Sequence, residues 1–525
     1  MSAKAGGQPE SGGQAGRPES IGGLLRHTSI YAIAPLFQRA LALILVRFYT
    51  EALGAGGWGL VSLMDLFVAL LPLIVGTSLV AGLSRHYFVH EDPRDRSSVV
   101  SGTALALLTT SLIGVGVVIL FREQVAGLIF AARGDSPPAE FVGYVVIAAC
   151  VVPFALMTRV GIESFQVEKR SKTVVSITVS KALFESALKL IFLFVLDLGV
   201  QGFLLAVLTG EAVTGTLLFI HVARKHGLRI DGRTFKPLLM YTLPLAPVGL
   251  FQLGLHQADR LLIRRLGPQE VIGQSPDGAP ISAADTWVGI YALGYQIPLL
   301  LHTAAIASFM RIWKVSLFGL KDESVRREEL LRVGRLVALG LAALYSLLAV
   351  FGREAVHMLA GKPELRAGAE VVPWITTAYL GYALFALSQA SLLSVFATGP
   401  LALINLIALT VNIGLNFALI PVYGYLGAAM ATLASFLLLA ALAFQRSTAI
   451  GAQPYPPLHA AAALVVVALA GMSGRVVDGS TEAWSIPALA IKGVVALLLA
   501  ALLFSLLPSE QRASLRAKLQ ARFGG

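Results

Sequence analysis

Hydrophobic residues along this chain occur in long runs that are separated by short polar or Gly- and Pro-containing breaks. Two examples are VSGTALALLTTSLIGVGVVILF at residues 100–121 and ALINLIALTVNIGLNFALI at residues 402–420. Because a helix rises about 1.5 Å per residue, runs of this length can cross a hydrocarbon core of about 30 Å. The pattern therefore predicts an all-α polytopic membrane protein.

About fourteen such apolar windows can be counted along the 525 residues. An even number of spans places both termini on one side of the membrane. If that side is cytoplasmic, 26 of the 41 Lys and Arg residues fall in cytoplasmic segments, 8 in exterior loops and 7 within spans. This asymmetry follows the positive-inside rule and predicts a multi-pass protein with both termini in the cytoplasm.

The composition supports the same class. The chain is 56% hydrophobic and 14% charged, whereas soluble domains carry about 25% charged residues. Its net charge of +11 is explained by the cytoplasmic loops, so no nucleic-acid partner is predicted. The single cysteine, Cys150, excludes a disulfide framework.

An internal repeat divides the chain. DLGVQGFLLA (197–206) is echoed by VYGYLGAAMA (422–431), and two halves of six spans would enter the membrane in the same orientation and enclose a central cavity. The predicted segments are a disordered cytoplasmic tail (1–21), an N-lobe of helices 1–6 (22–226), a C-lobe of helices 7–12 (227–450), helices 13–14 (451–507) and a cytoplasmic basic amphipathic tail (508–525).

Charged residues occur inside several predicted spans. In KALFESALK, Lys181, Glu185 and Lys189 are four residues apart and therefore share one helical face. A charge at the bilayer centre costs at least about 2.5–3.5 kcal/mol, so this face is expected to look onto protein or a water-filled interior. Pairing within the helix would leave one net positive charge.

The other intramembrane charges complete a predicted cationic cavity. Its substrate-binding residues are predicted to be Arg39, Arg47, Arg159, Lys181, Lys189 and Arg260. The predicted charge partners and coupling residues are Asp65, Glu185, Glu211 and Asp259. We expect Arg39 to pair with Asp65, and Glu211 to be the best candidate for ion coupling. A cationic cavity suits an anionic ligand such as a phosphate. In the alternative interpretation, these charges pair internally and only hold the helices together.

Motifs of soluble enzymes are absent or misplaced. Gly54, Gly56 and Gly59 satisfy G-x-G-x-x-G, but they join two predicted spans rather than a strand and a helix, and so predict a turn. The chain contains no P-loop sequence and no recognisable grouping of nucleophile, base and orienting residue. The sequence therefore predicts neither an enzyme nor a bound cofactor or metal.

Four stretches carry a family resemblance, and in order they span roughly residues 22 to 450. They are LVRFYTEALGAGGWGLVSL (45–63), GLSRHY (82–87), ADRLLIRRLG (258–267) with VGIYALGYQIP (288–298), and LIPVYGYLGAAMATLAS (419–435). This pattern resembles the polysaccharide transporters, the Wzx-type flippases, of the multidrug/oligosaccharidyl-lipid/polysaccharide exporter superfamily. The insertion at 269–285 is longer than the connection usual in that family.

The resemblance implies a flippase that moves undecaprenyl-pyrophosphate-linked oligosaccharide units across the bacterial inner membrane by alternating access. The product would be O-antigen of lipopolysaccharide, capsule or exopolysaccharide, and coupling to H⁺ or Na⁺ is implied. The implied partners are the lipid-linked oligosaccharide, membrane lipid, and the polysaccharide polymerase and export machinery. Two alternatives stay open. One is an ion-coupled multidrug exporter of the same superfamily, and the other is a membrane polysaccharide polymerase or ligase.

Overall fold

The structure is a computed structural model that describes residues 21–130, 137–243, 246–318, 320, 322–395, 397, 399–509 and 511–513. The predicted N-terminal tail lies outside the described residues except for Ile21. Most of the predicted C-terminal tail, from residue 514 onward, also lies outside them.

The first half of the chain consists of helices. They are α1 (Ile21–Val75), α2 (Ser78–Val89), α3 (Pro93–Leu120), α4 (Arg122–Phe130), α5 (Ala139–Val167), α6 (Ser171–Leu190) and α7 (Gly199–His226). The long α1 contains the first two predicted spans and kinks at Gly54, whose φ of 67° and ψ of −179° are not helical. Glycine adopts this conformation because it has no Cβ. The predicted turn at the glycine motif is therefore a helix break.

The second half is also helical, with one β-hairpin. Its elements are α8 (Gly232–Thr242), α9 (Ala246–Leu266), β1 (Val271–Gln274), β2 (Pro280–Ser282), α10 (Ala283–His302), α11 (Ser308–Phe318), α12 (Glu323–Val350), α13 (Gly352–Leu359), α14 (Val372–Ser394), α15 (Gly399–Tyr423) and α16 (Tyr425–Ala449). The two strands pair antiparallel. They form the insertion between α9 and α10, for which the sequence pattern predicted no strands.

Two further helices, α17 (Pro457–Ser480) and α18 (Ile486–Ser505), pack against α12 of the second half. Lys492 on α18 is fully buried. Its Nζ lies 2.7 Å from Glu354 Oε2 and 2.7 Å from Asp478 Oδ1. This buried group of charges ties the last helix to α13 and α17.

Ten helices of the described chain are long and apolar enough to cross a membrane, or eleven if the bent pair Pro363–Glu370 and Val372–Ser394 is one span. Helix α1 counts once in this set although it is kinked at Gly54. Helices α6 and α9, which carry charged runs, are not in it. The chain is therefore an all-α multi-pass membrane protein, while the count of fourteen spans stays a prediction.

The predicted glycine echo has the same geometry in both halves. Gly199 begins α7 with a φ of 51°, and Gly424 precedes α16 with a φ of 60°. A Cβ added at Gly202 would lie 3.2 Å from Phe192 O, and one added at Gly427 would lie 2.4 Å from Leu419 O. In each half, the second glycine lets a helix start close to the preceding segment.

Candidate functional site

The charged face of α6 forms two ion pairs along the helix. Lys181 Nζ lies 2.9 Å from Glu185 Oε2, and Lys189 Nζ lies 2.8 Å from Glu185 Oε1. The three side chains keep 14%, 16% and 15% of their surface accessible, in chain order. The four-residue spacing in the sequence thus produces the predicted pairing.

Glu211 on α7 completes this group. Lys181 Nζ lies 3.0 Å from Glu211 Oε1, and Thr158 on α5 donates a hydrogen bond of 2.8 Å to Glu211 Oε2. We call Lys181, Glu185, Lys189 and Glu211 the α6–α7 charge cluster. Its two lysines balance its two glutamates. The one net positive charge that the pairing within α6 leaves is balanced by Glu211 of α7, which the sequence pattern did not connect to this group.

Lys189 also contacts two aromatic rings. Its Nζ lies 4.3 Å from the Phe203 ring centroid on α7 and 5.9 Å from the Tyr49 ring centroid on α1. A cation over an aromatic face is attracted by the ring quadrupole. Both lysines of the α6–α7 charge cluster are thus engaged within the protein in this conformation.

Asp65 lies on the second part of α1, and its side chain is exposed. Its electrostatic neighbours are Lys189 and Glu185 of the first half and Arg260 of the second half. Among the ion pairs of the described residues, none joins Asp65 to Arg39. The predicted Arg39–Asp65 pair is therefore wrong, because the two side chains have different neighbours in the structure.

Four of the predicted cations form no ion pair within the described part of the chain, and these are Arg39, Arg47, Arg159 and Arg260. Arg159 Nη1 donates a hydrogen bond of 3.2 Å to Thr77 Oγ1, beside the break between α1 and α2. Arg47 Nη1 donates one of 3.1 Å to Met358 O on α13. Most of the donors on these guanidinium groups are available to an anion.

The other two arginines lie near residues of the opposite half of the chain. Arg39 on α1 lies near Tyr379 on α14 and near His302 on α10. Arg260 on α9 interacts with Asp65 on α1, and its Cζ lies 5.9 Å from the Tyr295 ring centroid. Arg39, Arg47 and Arg260 thus have neighbours in the opposite half, whereas the hydrogen bond of Arg159 lies within the first half.

Asp259 on α9 is fully buried, and it is held by hydrogen bonds from three other helices. Tyr291 OH on α10 and Thr432 Oγ1 on α16 each donate one of 2.6 Å to Oδ2. Asn416 Nδ2 on α15 donates one of 3.1 Å to Oδ1. No ion pair of Asp259 occurs in the described part of the chain. A buried carboxylate that only neutral donors surround can bind a proton or a small cation.

The sequence did not assign Tyr291 and Thr432 to this network. They lie 32 and 173 residues from Asp259, and hydroxyl side chains are common in membrane helices, so no local signal marks them. Within the described residues, no group of three or more His, Cys, Asp or Glu could hold a metal ion. Any cation bound here would therefore depend on hydroxyl and amide oxygens in addition to the one carboxylate.

Tyrosines of the second half form a packed aromatic group next to the hydrogen-bond network of Asp259. Tyr379 OH donates a hydrogen bond of 3.0 Å to Tyr295 OH, and the two ring centroids lie 5.7 Å apart. Both rings are buried, as is Tyr291. In this conformation they cannot stack on a sugar in an open cavity, and they stabilise the helix packing instead.

Comparison with known proteins agrees with the geometry. Residues 44–276 match the family model of a polysaccharide biosynthesis protein. An uncharacterized membrane protein of Haemophilus influenzae is 23% identical over 316 residues, which are 59% of this chain and 69% of that protein. These matches confirm the predicted resemblance to polysaccharide transporters.

Solved structures share the fold. The lipid II flippase MurJ, in an inward closed conformation, superposes with a TM-score of 0.68 at 11% identity and covers 91% of this chain and 99% of its own. An inward-facing multidrug resistance MATE family transporter of the MOP superfamily superposes with a TM-score of 0.56 at 14% identity, covering 80% and 98%. At these identities the likeness shows the fold alone.

Proposed function

We infer that this chain, a membrane protein that matches a polysaccharide biosynthesis family over residues 44–276 and has the fold of a flippase, moves undecaprenyl-pyrophosphate-linked oligosaccharide units across the bacterial inner membrane. The product would serve the synthesis of O-antigen, capsule or exopolysaccharide. The family match and the shared fold support a transporter of lipid-linked sugars. The two halves, residues 22–226 and 227–450, would rock against each other around the central cavity.

The observation that carries this proposal is the set of arginines without an ion pair in the described chain, of which Arg39 and Arg260 have neighbours in the opposite half. Arg159 lies toward the predicted cytoplasmic end of α5, Arg39 lies mid-way along the first part of α1, and Arg260 lies on α9. A guanidinium group presents a planar fork that matches phosphate oxygens. We propose that Arg159 receives the pyrophosphate and that Arg39 and Arg260 hold it at mid-depth.

Lys181 and Lys189 have a second role in this proposal. Each ammonium group already has a carboxylate within 3.0 Å, so an incoming phosphate would have to displace Glu185 or Glu211. We propose that the α6–α7 charge cluster mainly holds α6 against α7, and that it contributes positive charge to the cavity only when the helices move apart.

Asp259 is the coupling residue that the geometry favours, ahead of Glu211. Glu211 already forms an ion pair with Lys181 at 3.0 Å, so a coupling cation would have to compete with that ammonium group. The hydrogen-bond donors to Asp259 are all neutral and come from helices α10, α15 and α16, and its charged neighbour Arg260 forms no ion pair with it. Binding of H⁺ or Na⁺ at Asp259 would alter the packing of four helices at once.

A multidrug exporter is the main alternative, because MATE transporters share the fold. An exporter of cationic drugs needs an acidic cavity, whereas here, among the described residues of the predicted cavity, four arginines without an ion pair outnumber the two unpaired carboxylates, Asp65 and Asp259. A polymerase or ligase is disfavoured because the solved structures that share the fold are a flippase and a transporter. If either alternative is correct, replacing the arginines should not change the transport of lipid-linked oligosaccharide.

The proposal is tested by deleting the gene in its native host and restoring it with wild type, Arg39→Ala, Arg159→Ala or Arg94→Ala at matched membrane abundance. Arg94 is an exposed arginine outside the interface and serves as the control. We expect the first two variants to lose surface polymer and to accumulate lipid-linked oligosaccharide in the inner leaflet. Normal polymer from the deletion strain itself would overturn the proposed function.

A further inference from the structure

The β1–β2 hairpin belongs to the second half but reaches the first half. Its turn carries Asp277, whose Oδ2 accepts a hydrogen bond of 2.5 Å from Tyr144 OH on α5. The same oxygen accepts one of 2.9 Å from the Gln201 backbone N–H on α7. A single carboxylate oxygen therefore joins α5 and α7 to the segment between α9 and α10. We call this end of the molecule the hairpin end.

The first half is shaped to receive this carboxylate. Gln201 is the third residue of α7, so its N–H has no partner inside the helix, and the helix dipole favours a negative charge there. Gly199 has a φ of 51°. A Cβ at Gly199 would lie 2.6 Å from Asp277 Oδ1 and 2.9 Å from Ser275 Oγ. Only glycine lets the hairpin turn approach α7 this closely.

The base of the hairpin is fixed to the second half. Arg264 Nε on α9 lies 2.7 Å from Asp285 Oδ1 on α10, and the two side chains are only 7% and 0% exposed. Asp285 also forms a capping box with Ser282 at the start of α10. Since these contacts are buried and charged, the hairpin is expected to move with α9 and α10 as one body.

Further contacts join the two halves at the hairpin end. A Cβ added at Gly56 on α1 would lie 2.1 Å from Ile281 Cγ2 on β2, and one added at Gly59 would lie 1.9 Å from Asp285 O. Arg265 Nη2 donates a hydrogen bond of 3.0 Å to Leu128 O on α4. Every one of these contacts joins the first half to the second half, so rocking of the halves must break them.

We propose that the β1–β2 hairpin is a latch that holds the predicted exterior end of the transport path closed, and that the hydrogen bonds of Asp277 keep the hairpin docked. Opening of that end separates Asp277 from Tyr144 and Gln201, while the hairpin stays attached to α9 and α10. This role rests on the proposed alternating-access function, but the latch itself is a property of the chain without substrate. The latch therefore sets how often the hairpin end opens.

The test uses a cysteine that is buried only while the hairpin is docked. Ser275→Cys is nearly isosteric, Ser275 is 4% exposed, and its Oγ faces Gly199. In a Cys150→Ser background, the rate of labelling by a membrane-impermeant maleimide from outside the cell reports release of the hairpin. We expect Asp277→Ala to raise this rate at least about tenfold, because it removes the charged acceptor of two hydrogen bonds.

Two further variants make the result decisive. Tyr144→Phe removes only the donated hydroxyl and should raise the labelling rate by a smaller factor. Asp197→Asn removes an exposed carboxylate from the segment that precedes α7 and should leave the rate unchanged. The same rate in wild type, Asp277→Ala and Tyr144→Phe would overturn the latch, and so would an equal rise in Asp197→Asn. Because the assay measures no transport, the latch and the proposed function can fail separately.

Discussion

Lys181 on α6 and Glu211 on α7 lie 3.0 Å apart, and this contact joins two neighbouring membrane helices through opposite charges. Glu185 accepts from the other side of the same ammonium group at 2.9 Å. The lysine therefore separates two carboxylates that would otherwise face each other. This arrangement predicts how the protein responds when one member of the α6–α7 charge cluster is removed.

Lys181→Ala should lower the free energy of unfolding by about 1–3 kcal/mol, because two carboxylates lose their shared partner at a site that is only partly accessible. Lys181→Ala combined with Glu211→Gln should recover part of this loss. Thermal unfolding in detergent, followed by tryptophan fluorescence, measures both. A double variant that is no more stable than the single one would show that the pair does not stabilise the helix packing.

Arg39→Gln should reduce the rate of oligosaccharide flipping about tenfold or more, because the phosphate loses a charged, two-pronged donor. Arg39→Lys keeps the charge but not the planar fork, so its rate should be intermediate. Proteoliposomes with a fluorescent undecaprenyl-pyrophosphate-linked oligosaccharide give the rates, and Arg94→Gln is the matched control. If the lysine and glutamine variants are equally slow, geometry rather than charge determines binding.

Asp259→Asn should abolish the dependence of flipping on an ion gradient, because the amide preserves the size of the side chain but not its titration or its charge. Glu211→Gln should retain that dependence. Initial rates in proteoliposomes under an imposed H⁺ or Na⁺ gradient separate the two residues and identify the ion. A response that is lost with Glu211→Gln and kept with Asp259→Asn would reverse the assignment.

A disulfide across the hairpin end should stop transport. In Gly56→Cys/Ile281→Cys the two Cβ positions would lie about 3.3 Å apart, close to the separation that a disulfide needs. We expect oxidation to block flipping and reduction to restore it, because the two halves cannot separate while they are joined. The flipping rates of the single-cysteine variants, also in a Cys150→Ser background, should not change on oxidation. Undiminished flipping by fully cross-linked protein would show that this end need not open.

Lys492→Met should destabilise the protein by about 3–5 kcal/mol, because it leaves Glu354 buried without its partner. Glu354 is only 3% exposed, so water cannot replace the ammonium group. Lys492→Met with Glu354→Gln should be closer to wild type in its unfolding temperature. Limited proteolysis between α17 and α18 provides a second readout. Equal unfolding temperatures in wild type and Lys492→Met would argue against a structural role for the buried pair.

Local patterns in the sequence determined much of this architecture. The lengths of the apolar runs predicted the membrane helices. The four-residue spacing of Lys181, Glu185 and Lys189 predicted their pairing along α6. The glycine echo placed Gly199 and Gly424 at equivalent helix starts, each with a positive φ. These features need only one helix or one turn, so a short stretch of sequence contains all the information.

Contacts between helices were decided by the tertiary structure alone. Nothing in the spacing of the sequence shows that Lys181 meets Glu211, that Asp65 faces Lys189 rather than Arg39, or that Thr432 donates to Asp259 from 173 residues away. The hairpin at 271–282 and its contact with Tyr144 are likewise long-range. Helical periodicity defines the face on which a side chain lies, whereas the rotation and packing of the helices decide which face it meets.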